Sequence, residues 1–471
     1  MFERLKPQCD SINEECGVFG IYSNEIREIA KSIYFGLYAL QHRGQQSCGI
    51  AVTYGNKMSY LKKLGLVSEV FDRTVLGSLA EGDIAIGHVR YSVSKEDLEC
   101  NSQPLVFTGK LGKMALCHNG KIVNAEELRK KLISENVILQ TTTGAELIAA
   151  LINKYTKDDI VEGIKAAAKE LKGSYSFLLM TTNKLIAVRD SHGMCPLVLG
   201  KLNDEYVVSS ETCGLDSIKA KYIKDVEPGE IVVIDSKGPN SYYLDKKPTA
   251  LCVFEYVYLA RPDSIIDGCS VYDVRKESGK VLAKKYPVAA DIVAGVPDSA
   301  LVSAVGYAEE SGLPYVEALI KNRYVGRTFI QPEQKLREDT VSIKLNAVRA
   351  NVEGKRVVLL DDSIVRGTTS KKIVEMLRFA GAKEVHLRIS SPIIPYSCYF
   401  GIDTQSRSDL IGSNKNKQEI CDYLKADSLE FLTIPELSGI CKKCKINFCM
   451  GCFSGEYPMA IENKELEMQL T

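Results

Sequence analysis

Tryptophan is absent from the chain, and no functional reading attaches to that absence. Net charge is absent as well: 60 Lys and Arg balance 60 Asp and Glu among 471 residues. A general electrostatic binder of nucleic acid would carry a basic excess, so that class is excluded for the chain as a whole. No apolar run reaches the roughly 18 residues that a bilayer-spanning helix requires. The first residues, MFERLKPQCDSINEE, are polar and acidic, without the apolar core of a signal peptide. No nucleic acid, no membrane and a cytoplasmic location are therefore expected. Internal repeats and low-complexity linkers are also lacking. The 45% hydrophobic and 25% charged residues are ordinary for a globular protein, and the length allows roughly two to four domains. Cysteine is what the chain has in excess, 15 in all. In a reducing compartment these are not expected to build a disulfide framework, so they divide into catalytic, metal-binding and plain buried thiols.

The pattern of elements changes near Pro248. Before it, short strand-like runs such as GVFGIYS (17–23), GDIAIGHVRYS (82–92) and KMALCHNG (113–120) mix with helical patterns at 29–41 and 145–155. Such a mixture indicates a layered α+β domain with largely antiparallel sheets. After it, apolar strands alternate with amphipathic helices. DIVAGVP, VVLLDD and EVHLRISSP read as strands, and DVRKESGKVLAKKY, ALVSAVGYAEESG and SKKIVEMLRFAGA as helices. That alternation indicates βαβ units and a parallel sheet.

In the second half, VVLLDDSIVRGTTS (357–370) places a buried-type strand before a loop of small residues and a helix start at about Thr369. Backbone N–H groups and the helix dipole at such a junction favour a phosphate. Ser363, Thr368, Thr369 and Ser370 add hydroxyl donors, and Gly367 permits close backbone approach. Asp361 and Asp362 would repel a phosphate, so they suit ribose hydroxyls or a Mg2+ ion carried by an anionic substrate. The string resembles the 5-phosphoribosyl 1-diphosphate (PRPP) motif of the type I phosphoribosyltransferases. The resemblance implies PRPP binding by Asp361, Asp362, Ser363, Arg366, Gly367, Thr368 and Thr369. GVPDSA (295–300) looks like the diphosphate loop, with Asp298 and Ser299, and Mg2+ would fall to Ser299, Asp361 and Asp362. KNRYVGRTFIQP (321–332) resembles the approach to a flexible loop, and Arg337 and Lys344 are candidates for closing over the diphosphate.

In the first half, EECGVFGIYS (14–23), QHRGQQSCGI (41–50), GHVRYS (87–92), CHNGKIVNA (117–125) and GSYSF (173–177) occur in that order. Together they resemble an N-terminal-nucleophile glutamine amidotransferase domain. Joined to the PRPP motif, the chain resembles the glutamine PRPP amidotransferases from about Cys16 to Pro458. The resemblance implies a propeptide 1–15, an α/β/β/α sandwich glutaminase at 16–248, and an α/β phosphoribosyltransferase at 249–471 with a cysteine-rich C-terminal segment. Cys16, freed by cleavage after Glu15, would attack the glutamine amide with its own α-amine as base. Asn119 and Gly120 would form the oxyanion hole, and Arg90, with Tyr91 beside it, would hold the glutamine α-carboxylate. PRPP, glutamine and water would give 5-phosphoribosylamine, pyrophosphate and glutamate, the first committed step of purine synthesis. Purine nucleotide feedback inhibitors and a homotetramer are further implications.

Three positions depart from the family's pattern: Gln46, Cys195 and above all Gly144 in TTTGAELI (141–148). An Asp that receives the substrate α-ammonium is usual at the place of Gly144, and Glu146 could replace it only with a rearranged backbone. Two rivals follow: an ammonia-dependent phosphoribosyltransferase with a weakened glutaminase half, and a non-catalytic PRPP or nucleotide sensor.

CKKCKINFCMGC (441–452) taken alone reads as a four-cysteine zinc site. The resemblance points to a [4Fe–4S] cluster at Cys252, Cys398, Cys449 and Cys452 instead. It leaves Cys441 and Cys444 spare, and Cys269 with the remaining cysteines ordinary.

Overall fold

A computed structural model describes residues 16–79, 81–91, 99–322, 345–402 and 406–461. The propeptide 1–15, Arg337 and Lys344 lie outside the described residues.

Two antiparallel sheets build the first half. The first orders its strands Lys221–Asp225, Val198–Leu202, Glu205–Ser209, Gly17–Arg27, Gly82–Arg90, Ser47–Tyr54 and Lys57–Leu64. The second runs Gly238–Tyr243, Glu230–Asp235, Leu185–Arg189, Ser176–Met180, Gly112–Asn119 and Leu105–Gly109. Val18, Ile84 and Ile86 of the first sheet share a buried cluster with Ala115, Cys117 and Leu178 of the second. Alternate residues Phe19 and Ile21 turn the other way, onto Ile29, Ile33 and Leu37 of the helix Ile29–Ala39. The far face of the second sheet packs on the helices Gly144–Tyr155 and Ile160–Ala168. The layers are therefore α/β/β/α. This explains why GVFGIY is apolar without alternation: both faces of its strand are covered. Gly36 lets the helix approach closely, since a Cβ there would lie 2.5 Å from the Phe19 ring.

The second half centres on a four-stranded parallel sheet in the order Ile292–Gly295, Arg356–Asp361, Glu384–Ile389 and Ser428–Phe431. Its strand runs and the helices Val271–Lys285, Leu301–Ser311 and Thr368–Phe379 fall where the sequence pattern put them. The helix after the PRPP motif begins at Thr368, because Gly367 at φ +82° turns the chain into it.

The two halves meet through buried polar groups. Arg189 is fully buried, and all five of its N–H donors are used. Two go to Asp267 at 2.9 and 2.8 Å, and three go to the carbonyls of Cys195, Val226 and Gly193. Removing one member of a buried pair strands the other charge. Asp267→Ala is expected to lower stability by about 3 kcal/mol, read as a drop in the urea unfolding midpoint; a change below the error of that measurement would contradict the role given to this pair.

Candidate active sites

Gly17 pairs with Val89 across antiparallel strands, and this register sets Cys16 against the end of the strand Gly82–Arg90. The Tyr91 N–H donates to the Cys16 sulfur at 3.4 Å, and the thiol donates to the Tyr91 carbonyl at 3.7 Å. Arg43 donates from Nε to the Cys16 carbonyl at 3.2 Å. The rest of its guanidinium is taken by Glu211 at 2.6 Å and by Glu255 at 2.7 and 3.0 Å. All three of these charged residues are buried. Burial alone would raise the Glu211 carboxyl, but His42, 2.7 Å away, and Arg43 hold it well below the usual carboxylate range. The role of Arg43 escaped the sequence reading. It sits in a quoted motif, but its partners lie 168 and 212 residues away.

The second sheet supplies the opposite wall. His88 Nε2 lies 3.0 Å from the His118 carbonyl, which ties the two sheets together one or two residues before Arg90 and Asn119. Burial pushes the His88 ring down to about 3 and the His118 ring down to about 4, so both are neutral near pH 7. Asn119 is fully buried, and neither its amide oxygen nor its amide nitrogen has a hydrogen-bond partner among the described residues. Leaving such a group unpaired costs roughly 1–3 kcal/mol, a cost that a ligand at this position would remove. Gly120 follows at φ +119°, and a Cβ there would lie 2.3 Å from the Ser174 carbonyl oxygen. Only glycine fits that turn.

Gly144 is the first residue of its helix, and a Cβ on it would stand 3.2 Å from both the His118 ring and Ile122. Glu146 does not replace the missing acid. Its carboxylate accepts from Gln140 N at 2.6 Å, Thr141 N at 2.8 Å and Thr141 Oγ1 at 3.0 Å, so it is occupied in holding the preceding turn.

In the second half, Gly295 pairs with Leu360 in parallel register, so the loop carrying Asp298 and Ser299 lies beside the Asp361–Thr368 loop. Ser299 Oγ donates to one oxygen of Asp362, and Ser363 Oγ donates to the other at 2.6 Å. The Asp362 N–H donates to Asp361 at 2.9 Å. Burial raises the Asp362 carboxyl, opposed by the two serine hydroxyls and by Arg275. Arg275 is another residue the sequence reading missed. It is buried on a neighbouring helix and donates to the Tyr256 and Ala260 carbonyls at 2.7 and 2.8 Å. Lys321 pairs with Asp298 at 2.5 Å, and Arg366 lies 3.9 Å from Asp409.

Cys252, Cys398, Cys449 and Cys452 line one largely enclosed apolar cavity, together with Ser174, Met194, Phe254, Phe400, Ile402 and Tyr457. Parallel pairing of Cys252 with Cys449 brings the C-terminal segment to this place. Burial pushes the Cys449 thiol up to about 12, and the nearby Cys398 sulfur adds to the rise. Cys444 is in a disulfide with Cys269. This corrects two readings: Cys269 is not an ordinary thiol, and a zinc site at Cys441, Cys444, Cys449 and Cys452 loses a ligand. The C-terminal chain brings Cys444 to Cys269 across 175 positions, a pairing no spacing reveals. Among the described residues, no three His, Cys, Asp or Glu side chains stand together as a ready site for a single metal ion.

Two family comparisons match the two halves: "Glutamine amidotransferase domain" over residues 88–217 and "Phosphoribosyl transferase domain" over residues 270–390. An amidophosphoribosyltransferase of Methanocaldococcus jannaschii is 47% identical over 470 residues, covering 96% of this chain and 99% of its own. That of Bacillus subtilis is 48% identical over 456 residues, covering 96% of this chain and 95% of its own. The chain belongs to the amidophosphoribosyltransferase family. A solved B. subtilis PRPP amidotransferase, described as a complex with ADP and GMP, superposes with a TM-score of 0.89 at 47% identity, covering 95% of this chain and 98% of that one. A second solved structure, of "the allosteric regulatory enzyme of purine biosynthesis", superposes with a TM-score of 0.90. The expected fold class holds for both halves, and the chain is an enzyme of purine biosynthesis that makes 5-phosphoribosylamine. Family membership removes the non-catalytic sensor. No described helix is long and apolar enough to cross a membrane.

Proposed function

We propose that Cys16 is the glutaminase nucleophile, within a division of the chain into propeptide 1–15, glutaminase 16–248 and phosphoribosyltransferase 249–471. Once residues 1–15 are removed, the free α-amine of Cys16 takes the thiol proton. The thiolate then attacks the glutamine amide carbon. Charge grows on the amide oxygen, where the Asn119 Nδ2 and the Gly120 N–H donate to it. As the adduct collapses, the Cys16 α-ammonium gives its proton to the amide nitrogen, which leaves as ammonia, and a thioester remains; water then cleaves the thioester, releasing glutamate and restoring the thiol. Arg90 and Tyr91 hold the amino-acid end of glutamine. The observation that carries this reading is the Asn119 amide, buried and without a partner among the described residues, at the end of the strand Gly112–Asn119. Ammonia passes inside the protein to the PRPP site and displaces pyrophosphate from C1.

Asp298, Asp361, Asp362, Ser363, Arg366, Gly367, Thr368 and Thr369 bind PRPP, with Arg337 and Lys344 closing over the diphosphate. Mg2+ fits Ser299, Asp361 and Asp362, because this ion takes one or two carboxylates and completes its shell with substrate oxygens and water. The shared hydrogen bonds of Asp362 orient Ser299 toward the same loop. Purine nucleotides inhibit by occupying the phosphoribosyl loop. A homotetramer in the cytoplasm is the working form.

A [4Fe–4S] cluster fits the cysteine cavity. Such a cluster is larger than a single ion, needs an enclosed apolar pocket, and takes four thiolates. The cavity meets those needs with Cys252, Cys398, Cys449 and Cys452. When bound, the cluster clamps the C-terminal segment to the body, and oxygen sensitivity follows. Anaerobically purified protein is expected to contain iron and acid-labile sulfide in equal amounts; zinc without sulfide would sink the cluster.

The missing acid at Gly144 makes glutamine the weakly held substrate. Pyrophosphate release from PRPP is expected with glutamine and with ammonium alike, at a high KM for glutamine. Release with ammonium alone would favour the weakened glutaminase. Gly144→Asp is expected to lower the glutamine KM about tenfold, the scale of one charge-assisted hydrogen bond. An unchanged KM would remove Gly144 as the cause.

A further inference from the structure

Ser174 lies where three features of the molecule meet. It is 1% exposed. Its N–H donates to the Lys121 carbonyl at 3.1 Å, and its hydroxyl oxygen accepts from the Lys121 N–H at 3.1 Å. The same hydroxyl donates its one proton to the Phe400 carbonyl, 226 residues away in the other half of the chain. Lys121 directly follows Gly120. The two turns are pressed together without slack: a Cβ on Gly120 would lie 2.3 Å from the Ser174 oxygen, and one on Gly173 would lie 2.1 Å from the Lys121 oxygen.

The far end of this link is stiff as well. The Phe400 N–H donates to the Cys398 sulfur at 3.4 Å. The Phe400 ring meets Tyr457 at 6.0 Å between centroids, and the Tyr457 hydroxyl donates to the Ser397 carbonyl at 2.5 Å. Ser174, Cys398 and Phe400 line the same cavity.

We propose that Ser174 is a positioning residue for the glutaminase reaction, its hydroxyl pinning the Gly120–Lys121 turn to the Phe400 carbonyl of the Cys398-bearing segment. The inference rests on the assignment of Asn119 and Gly120 as the oxyanion hole. Ser174 touches no substrate. It fixes the direction of the Gly120 N–H, and a donor a few tenths of an ångström out of place stabilises the developing oxyanion less. The pin also ties glutamine hydrolysis to the packing of the 396–402 segment.

The test compares Ser174→Ala with the parent protein, both purified anaerobically, in pyrophosphate release with glutamine and with ammonium. The expected result is a fall in glutamine-dependent kcat of about tenfold, below the roughly 10²–10³ that loss of an oxyanion donor costs. The glutamine KM, the ammonium-dependent rate, the iron content and the rate of Cys16 alkylation by iodoacetamide are expected to stay within about twofold of the parent. Unchanged glutamine-dependent kcat overturns the proposal. So does a KM effect without a kcat effect, or an equal fall of both activities with loss of iron, which marks a merely structural serine. Asn119→Ala run in parallel separates the two readings. If it keeps glutamine-dependent activity, the oxyanion-hole assignment fails and takes this inference with it. If it loses that activity while Ser174→Ala does not, the inference alone fails.

Discussion

Arg43 carries one positive charge into the interior, and acceptors from three distant parts of the chain close on it. Glu211 belongs to the sandwich, Glu255 to the chain leading into the parallel sheet, and the Cys16 carbonyl to the proposed nucleophile. A buried guanidinium is tolerable only with every donor placed and its charge compensated. Here the compensation itself requires both halves of the chain. The Cys16 backbone is thus held by a group whose charge is balanced in part by Glu255 of the phosphoribosyltransferase half. Arg189 with Asp267 repeats the arrangement at a second point of the same junction.

This junction gives the chemistry its order. Ammonia is useful only where PRPP waits, and on the proposed reading a glutaminase whose Cys16 is held partly through the neighbouring half is tied to that half's folding. The cysteine cavity lies on the same junction, since Ser174 and Met194 of the sandwich share its wall with the four cysteines. At the other end, the Ser299 and Ser363 hydroxyls both donate to Asp362 and so link the loop after Gly295 to the loop after Asp361. Each site is built from strand ends, where a rigid sheet fixes position and the loop beyond supplies the donors.

Much of this was legible in the sequence because it is local. The strand VVLL, the Gly367 turn and the helix behind it follow from apolar run, glycine and helix pattern within fourteen residues. GVFGIY and its covering helix are legible in the same way. What stayed hidden depends on partners far apart in the chain. Nothing in HRGQ says that its arginine is held by glutamates at 211 and 255, and nothing in CKKC says that one cysteine pairs with Cys269. Glu146 shows the same limit from the other side. Its sequence position left it as a stand-in for the missing acid at Gly144, and only its bonds to Gln140 and Thr141 show that it is committed elsewhere.

On the proposed mechanism the two sites act as one, with ammonia made at Cys16 and used at the PRPP loop without leaving the protein. Glutamine labelled with 15N in its amide, supplied with PRPP in an excess of unlabelled ammonium at a pH where ammonium alone reacts slowly, tests this directly. The 5-phosphoribosylamine formed is expected to carry the 15N of glutamine well above its share of total ammonia. A product whose 15N content equals that of the bulk pool would contradict it.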